Sequence, residues 1–101
     1  MILIEQPRAQ AGRKGIFGGR PFRAAHAISD IAGPGGHAEL VDFARRIGMR
    51  RNWLRAVGTM FECVECANEA IEAAYELGAR RVTCDGLLAA IYRKKGARNA
   101  A

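Results

Sequence analysis

The chain reads as an α/β protein, a small single-domain sandwich of about three short strands packed with three helices over residues 1–96. Three observations predict this class. The run "ILI" at 2–4 is wholly apolar and rich in β-branched residues, the mark of a buried strand. Two segments, 37–48 and 66–78, carry apolar residues at helical spacing and each closes on a glycine. The chain has 101 residues, half of them apolar, which suffices for one core and not for two.

Strand 2–4 ends at Glu5, Gln6 and Pro7. "RAQAGRKGIFGGRP" at 8–21 holds four glycines and four basic residues with little periodicity, so its composition predicts a long mobile loop. "FRAAHAIS" at 22–29 predicts a second strand with Phe22, Ala24, His26 and Ile28 on one face. "DIAGPGG" at 30–36 reads as a turn.

In "HAELVDFARRIG" at 37–48, Leu40, Phe43, Ala44 and Ile47 recur at helical spacing and Gly48 suits the position after the helix end. "MRRNWLRAVG" at 49–58 reads as a short basic helical turn over the core. "CANEAIEAAYELG" at 66–78 predicts a second helix with Ala67, Ala70, Ile71, Ala74 and Leu77 inward. "RRVT" at 80–83 is the third strand. "CDGLLAAIYRKKG" at 84–96 is the third helix, with Asp85 at its start and Arg93, Lys94 and Lys95 matching its C-terminal dipole. Residues 97–101 read as a frayed tail. If strand 2–4 runs parallel beside 80–83, Cys63, Cys66, Cys84, Asp85 and Glu5 gather at one edge of the sheet, where open α/β sheets place their sites.

Net charge is +6, but its distribution carries more information. Residues 8–23 and 45–55 each hold five basic residues and no acid. Residues 60–79 hold Glu62, Glu65, Glu69, Glu72 and Glu76 and no Lys or Arg. Such a dipolar chain attracts a polyanion to one surface and a basic partner to another. No apolar run approaches the ~18 residues of a membrane span. "MILIEQPR" lacks the basic start of a signal peptide. Three cysteines, an odd count in a chain apolar enough to fold without staples, point to a reducing cytoplasm.

Four constellations carry candidate chemistry. Cys63 and Cys66 stand three apart, so at a helix start they present two thiolates to zinc, with Cys84 and His26 or His37 completing a tetrahedron. Equally, a lone pair of cysteines packs as two small apolar residues, and the reading without a cofactor is the simpler one. Arg50, Arg51 and Arg55 around Trp53, with Arg13, Lys14 and Arg20 from the glycine-rich segment, form the pattern of phosphate contacts beside a stacking ring. Phe17 and Phe22 could also stack. The opposing reading places Trp53 in the core and leaves the arginines as a solvated surface. Glu65, Glu69, Glu72 and Glu76, at spacings of four, three and four, make an acidic stripe that is either solvated or a protein-docking face. His26 on an apolar strand face reads as a hydrogen-bonded histidine, and His37 as exposed.

The stretches "HAELVDFARRIGMRRNWL" and "CVECANEAIEAAYELGARRVT" resemble a family of small bacterial and phage proteins known only as a domain of unknown function. The shared features are Glu39, Leu40, Phe43, Ala44, Ile47 and Gly48, then Leu77, Gly78 and Ala79. The resemblance implies a polar site at Glu5, His26, Cys63 and Glu65, with Cys63 and Glu65 standing where the family carries His and Asp; either the site is kept with ligand-type substitutions, which metal chemistry tolerates, or it is lost and only the scaffold is kept. It also implies a phage or prophage origin.

The leading functional expectation is a small basic, non-enzymatic, phage-type accessory protein that binds nucleic acid or a nucleoprotein complex in a bacterial cytoplasm. One alternative is a small metal-dependent hydrolase with a Glu5, His26, Cys63 and Glu65 site. The other is a phage-encoded inhibitor that docks a host defence protein through its acidic stripe. None of these involves a membrane.

Overall fold

A computed structural model describes the backbone of residues 1–14 and 21–100, and side chains outside 9–14, 21–22, 51 and 97–100. In chain order the elements are β1 (Ile2–Glu5), β2 (Arg8–Lys14), β3 (Pro21–Ser29), α1 (Gly33–Arg46), a 3₁₀ turn (Arg51–Trp53), β4 (Val64–Ala67), α2 (Glu69–Glu76), β5 (Arg80–Val82) and α3 (Cys84–Ala100). The α/β class and the three helices are as the sequence predicts, but the sheet has five strands rather than three.

β3 is the spine of the sheet. β1 pairs antiparallel with its second half, Ile4 opposite Ala27, and β2 with its first half, Arg8 opposite Ala24. β4 also pairs antiparallel with β3, Ala67 opposite Ala24 and Val64 opposite Ala27. Since Ala24 and Ala27 each have partners on both sides, β1 and β2 share one edge of β3 and β4 takes the other. β5 joins β1 in parallel, Glu5 opposite Val82, as the sequence argument required for Glu5 to reach that end of the sheet.

Alternation along the strands sorts residues into two cores. Ile2 and Ile4 of β1, Ala25 and Ala27 of β3, and Val64 and Cys66 of β4 face α1 and α2, meeting Leu40, Phe43, Ala44, Ile71 and Ala74. Leu3 and Ile28 face α3 and meet Leu87, Ala90 and Ile91. β1 is buried on both faces, which is why its sequence is continuously apolar rather than alternating.

Four expectations are corrected. The 8–21 segment is not wholly a loop: Arg8–Lys14 is a strand, its register to β3 shifting between Ala9 and Lys14, because the edge of β3 beyond β1 is open for pairing. The remainder, 15–20, lies outside the described residues. The 66–78 helix begins later, because Val64–Ala67 pairs with β3 and Asn68, at φ +50°, breaks the strand before α2. α1 begins at Gly33, with Pro34 in its first turn, where a missing N–H costs nothing. α3 continues through residues 97–100 in place of a frayed tail. Gly48 and Gly78 do terminate their helices, at φ +81° and +89°.

Candidate functional site

Strand register brings three chemistry-bearing side chains together on the α3 face. His26 lies opposite Glu65 across the β3–β4 pairing. Glu5 has the same parity on β1 as Leu3, so it joins them on that face. His26 Nδ1 and Glu5 Oε1 are 3.0 Å apart. Because an ionised carboxylate only accepts, Nδ1 is the donor in that bond. His26 Nε2 lies 3.7 Å from Glu65 Oε2, an ion-pair distance once the ring is protonated. Glu5 is largely buried and His26 is 44% exposed, so the imidazole is held from below and open above. These are three of the four polar positions the family resemblance implies.

Cys63, the fourth, has the parity of Glu65 on the chain leading into β4 and packs beside the α3-side core. Burial pushes its thiol up; Arg55 opposes this, while Glu65 and Glu5 add to it. Cys66 lies on the other face with no exposure, and burial, with Glu65 second, pushes its thiol up to about 12. The two cysteines therefore do not form a ligand pair. On the helix start that the spacing predicts, three residues apart is one face; on the extended chain found here, three apart is opposite faces. Cys84 opens α3, and all three thiols are free. Among the described residues no group of three or more His, Cys, Asp or Glu side chains is placed to hold a metal ion.

The basic surface is partly described. Trp53 stands on the 3₁₀ turn with 49% exposure, so it is not a core residue, and Arg50 and Arg55 beside it are exposed. Neither arginine has an ion-pair partner among the described residues. Arg45 and Arg46 differ: they bridge Asp42 at 2.8 and 2.9 Å, and Arg45 foremost holds that carboxyl below the usual range. A groove of about 610 Å³ runs beside Trp53, and Asn52, Arg55, Glu65 and Glu69 are among its lining residues. The side chains of Arg13, Lys14 and Arg51, and all of Arg20, lie outside the described residues, as does Phe17; so does the side chain of Phe22.

The acidic stripe is shorter than its spacing implied. Glu69, Glu72 and Glu76 are exposed on α2, but Glu65 belongs to β4 and is turned toward His26.

A second histidine–glutamate pair was not legible as a unit. His37 Nδ1 lies 2.9 Å from Glu62 Oε2, and the same oxygen accepts from the Gly58 N–H at 3.0 Å. Glu62 is buried, and His37, read as exposed from sequence, is only partly so. Both line a cavity of about 390 Å³ with Lys94, Ser29 and the start of α1. The available signal was a glutamate just after a Gly-Thr turn, off any helix and so not part of a solvated stripe.

Among the described residues no helix is long and apolar enough to cross a membrane. Comparison of the chain with protein-family models, curated proteins and solved structures finds no match.

Proposed function

We propose that this is a non-enzymatic, phage-type accessory protein that binds nucleic acid, alone or within a nucleoprotein complex. The observation that carries the reading is the half-exposed indole of Trp53 between the exposed Arg50 and Arg55. An indole on the surface is a platform for an unpaired base, worth about 1–3 kcal/mol per stacked base, and guanidinium groups neutralise the adjoining phosphates. Glu65 and Glu69 line the same groove and repel phosphate, which disfavours the nucleic-acid backbone beside them. Arg13, Lys14, Arg20 and Arg51 would lengthen the electrostatic track.

Trp53 is the sole tryptophan, so its fluorescence reports directly on the site. Titration with a thymidine oligonucleotide should quench it, with affinity falling steeply as salt rises. Each of Arg50→Ala and Arg55→Ala should flatten the log–log salt slope by about 0.7. Absence of quenching and of any complex at low salt would sink the proposal.

A second reading is favoured by the convergence of Glu5, His26 and Glu65. In it His26 carries a proton and Glu5 orients the ring, the arrangement of a general acid–base site. The ring addresses each carboxylate separately instead of sharing a point with them, which suits proton transfer better than a shared divalent ion. Hydrolysis of a chromogenic phosphodiester that disappears in His26→Ala would support it, and turnover no higher than that of the variant would remove it.

A further inference from the structure

The outer side of β4 is paired for only part of its length. Along an antiparallel strand, backbone hydrogen bonds alternate between the two sides from one residue to the next. The Asn68 N–H donates to the Arg23 carbonyl of β3, while Arg55 and Cys63 exchange both of their backbone bonds, at 2.8 and 3.1 Å. Residues 64, 66 and 68 therefore turn their backbone groups toward β3, and 63, 65 and 67 turn theirs outward. Upstream of Arg55 the chain leaves this line at the 3₁₀ turn. The outward N–H and C=O of Glu65 and Ala67 are left with no partner among the described residues. Such an unpaired row is a template for another strand.

Both residues line the groove of about 610 Å³ beside Trp53, so there is room at that edge. Side chains of an added strand would follow the parity of β4. A residue opposite Cys66 turns to the α1–α2 face, where Ile47, Met49 and Ala70 line the groove and pack on the core. A residue opposite Glu65 turns to the α3 face, beside a carboxylate. Glu65 Oε2 is 3.7 Å from His26 Nε2, beyond hydrogen-bond length, so it can still accept from a further cation. Glu69 adds an exposed carboxylate, and Arg55 is the one cation among the described lining residues. The two carboxylates disfavour phosphate here and favour a basic side chain.

We propose that the β4 edge binds an extended basic peptide by strand addition, pairing antiparallel with Glu65 and Ala67, with a Lys or Arg opposite Glu65 and an apolar residue opposite Cys66. The antiparallel sense is the one Arg55 already has against Cys63. In it the peptide residues opposite Glu65 and Ala67 supply the backbone bonds, and the residue between them supplies none. Peptide capture requires the strand edge and Glu65, whereas the nucleic-acid reading requires the indole and its arginines.

The test adds a short capped peptide of alternating lysine and valine to the full chain, without nucleic acid. Affinity is read from the amide resonances of Glu65 and Ala67, and pairing from their hydrogen exchange. Saturating peptide should slow exchange at both amides about tenfold or more. Methylating the backbone nitrogens of the lysines should weaken binding about tenfold or more, and methylating those of the valines should change it less than about threefold. A peptide with glutamate in place of lysine should also bind about tenfold or more weakly. Ala67→Pro removes one outward donor and leaves β3 its bonds, so it should weaken binding to a similar degree. If that variant does not fold, the two methylated peptides on the unmodified chain still decide. Equal affinity for both methylated peptides, equal affinity for the glutamate peptide, or no saturation at about 5 mM would each overturn the proposal. So would a dimeric chain whose Glu65 and Ala67 amides are already protected, since a second copy would then fill the edge. Oligonucleotide quenching of Trp53 is a separate readout, so failure of the peptide and failure of nucleic-acid binding are told apart.

Discussion

The two faces of one sheet are built from neighbouring residues of the same strands, yet they have different chemistry. Toward α1 and α2, β1, β3 and β4 present Ile2, Ile4, Ala25, Ala27, Val64 and Cys66, with no polar side chain among them. Toward α3 the alternate positions give Leu3 and Ile28, then Glu5, His26, Glu65 and Cys63. α3 is the last element of the chain and covers only the apolar part of its face, whereas α1 and α2 together close the other. The difference is physical: a face closed by two helices favours groups that need no water, its polar exceptions being the Ser29 hydroxyl that donates to Glu39 of α1 and the buried Tyr75 hydroxyl, and a face half covered can hold groups that exchange protons or charge with solvent. The larger apolar core lies on one side of the sheet, and Glu5, His26 and Glu65 lie on the other.

The sharpest way to break this contrast is to truncate adjacent residues of β1. Ile4, with no exposure, sits in the larger core, and Ile4→Ala should cost about 3–5 kcal/mol. Leu3 belongs to the smaller cluster, and Leu3→Ala should cost about 2–3 kcal/mol, since the site can collapse toward the uncovered end. Urea denaturation of the two variants measures the difference. Equal costs would mean that α3 is packed as firmly as the other two helices.

The cysteines repeat the comparison three residues apart. Cys66→Ser places a hydroxyl among Ile4, Ala25, Ala27 and Val64 in a cluster whose buried side chains are apolar, at a cost of about 2 kcal/mol. Cys63→Ser, half-buried at the margin, should cost under about 1 kcal/mol. The same denaturation series checks both, and the reverse order would place the cysteines on the wrong faces.

His26→Ala probes the polar half directly. It leaves Glu5 and Glu65 on one face with no group between them, a loss of about 1–2 kcal/mol at neutral pH. His26→Ala combined with Glu5→Gln should recover part of that loss, because the removed charge no longer faces another. A double variant less stable than the single one would show that Glu5 has another role in the fold.

How much of this was legible beforehand depends on whether local pattern or long-range pairing decides each element. β1 was readable because both its faces are buried, and the ends of α1 and α2 because only glycine sits comfortably at those φ values. β2 was not, since "RAQAGRK" has no apolar pattern and becomes a strand by pairing along β3. β4 was hidden because "VECANEAIEAA" keeps a helical spacing straight through the strand, and only Asn68 marks the break. That one misreading of period moved Cys66 to the wrong face and added Glu65 to a stripe it does not join. Glu5, His26 and Glu65 were named from the family resemblance, and it is register that makes them neighbours. His37 and Glu62, twenty-five residues apart and joined across irregular chain, left no periodic trace at all.

About half a pH unit above the ordinary thiol range is enough to test the buried face by pH. Burial raises the Cys66 thiol from 9.0 to about 12, so the folded chain keeps its proton where the unfolded chain releases it. Below pH 9.0 both states hold the proton and the stabilisation is fully present. As pH rises from there the unfolded state is favoured, by just under about 1 kcal/mol at half a unit above, and the loss continues until pH passes the folded value. Lysines and tyrosines titrate in the same range, so the informative quantity is the difference between the unmodified chain and Cys66→Ala. The denaturant midpoint of the unmodified chain should fall more steeply above pH 9.0 than that of the variant. Parallel curves would mean that water reaches Cys66 in the folded state, and that the α1–α2 side of the sheet is no drier than the side that carries His26.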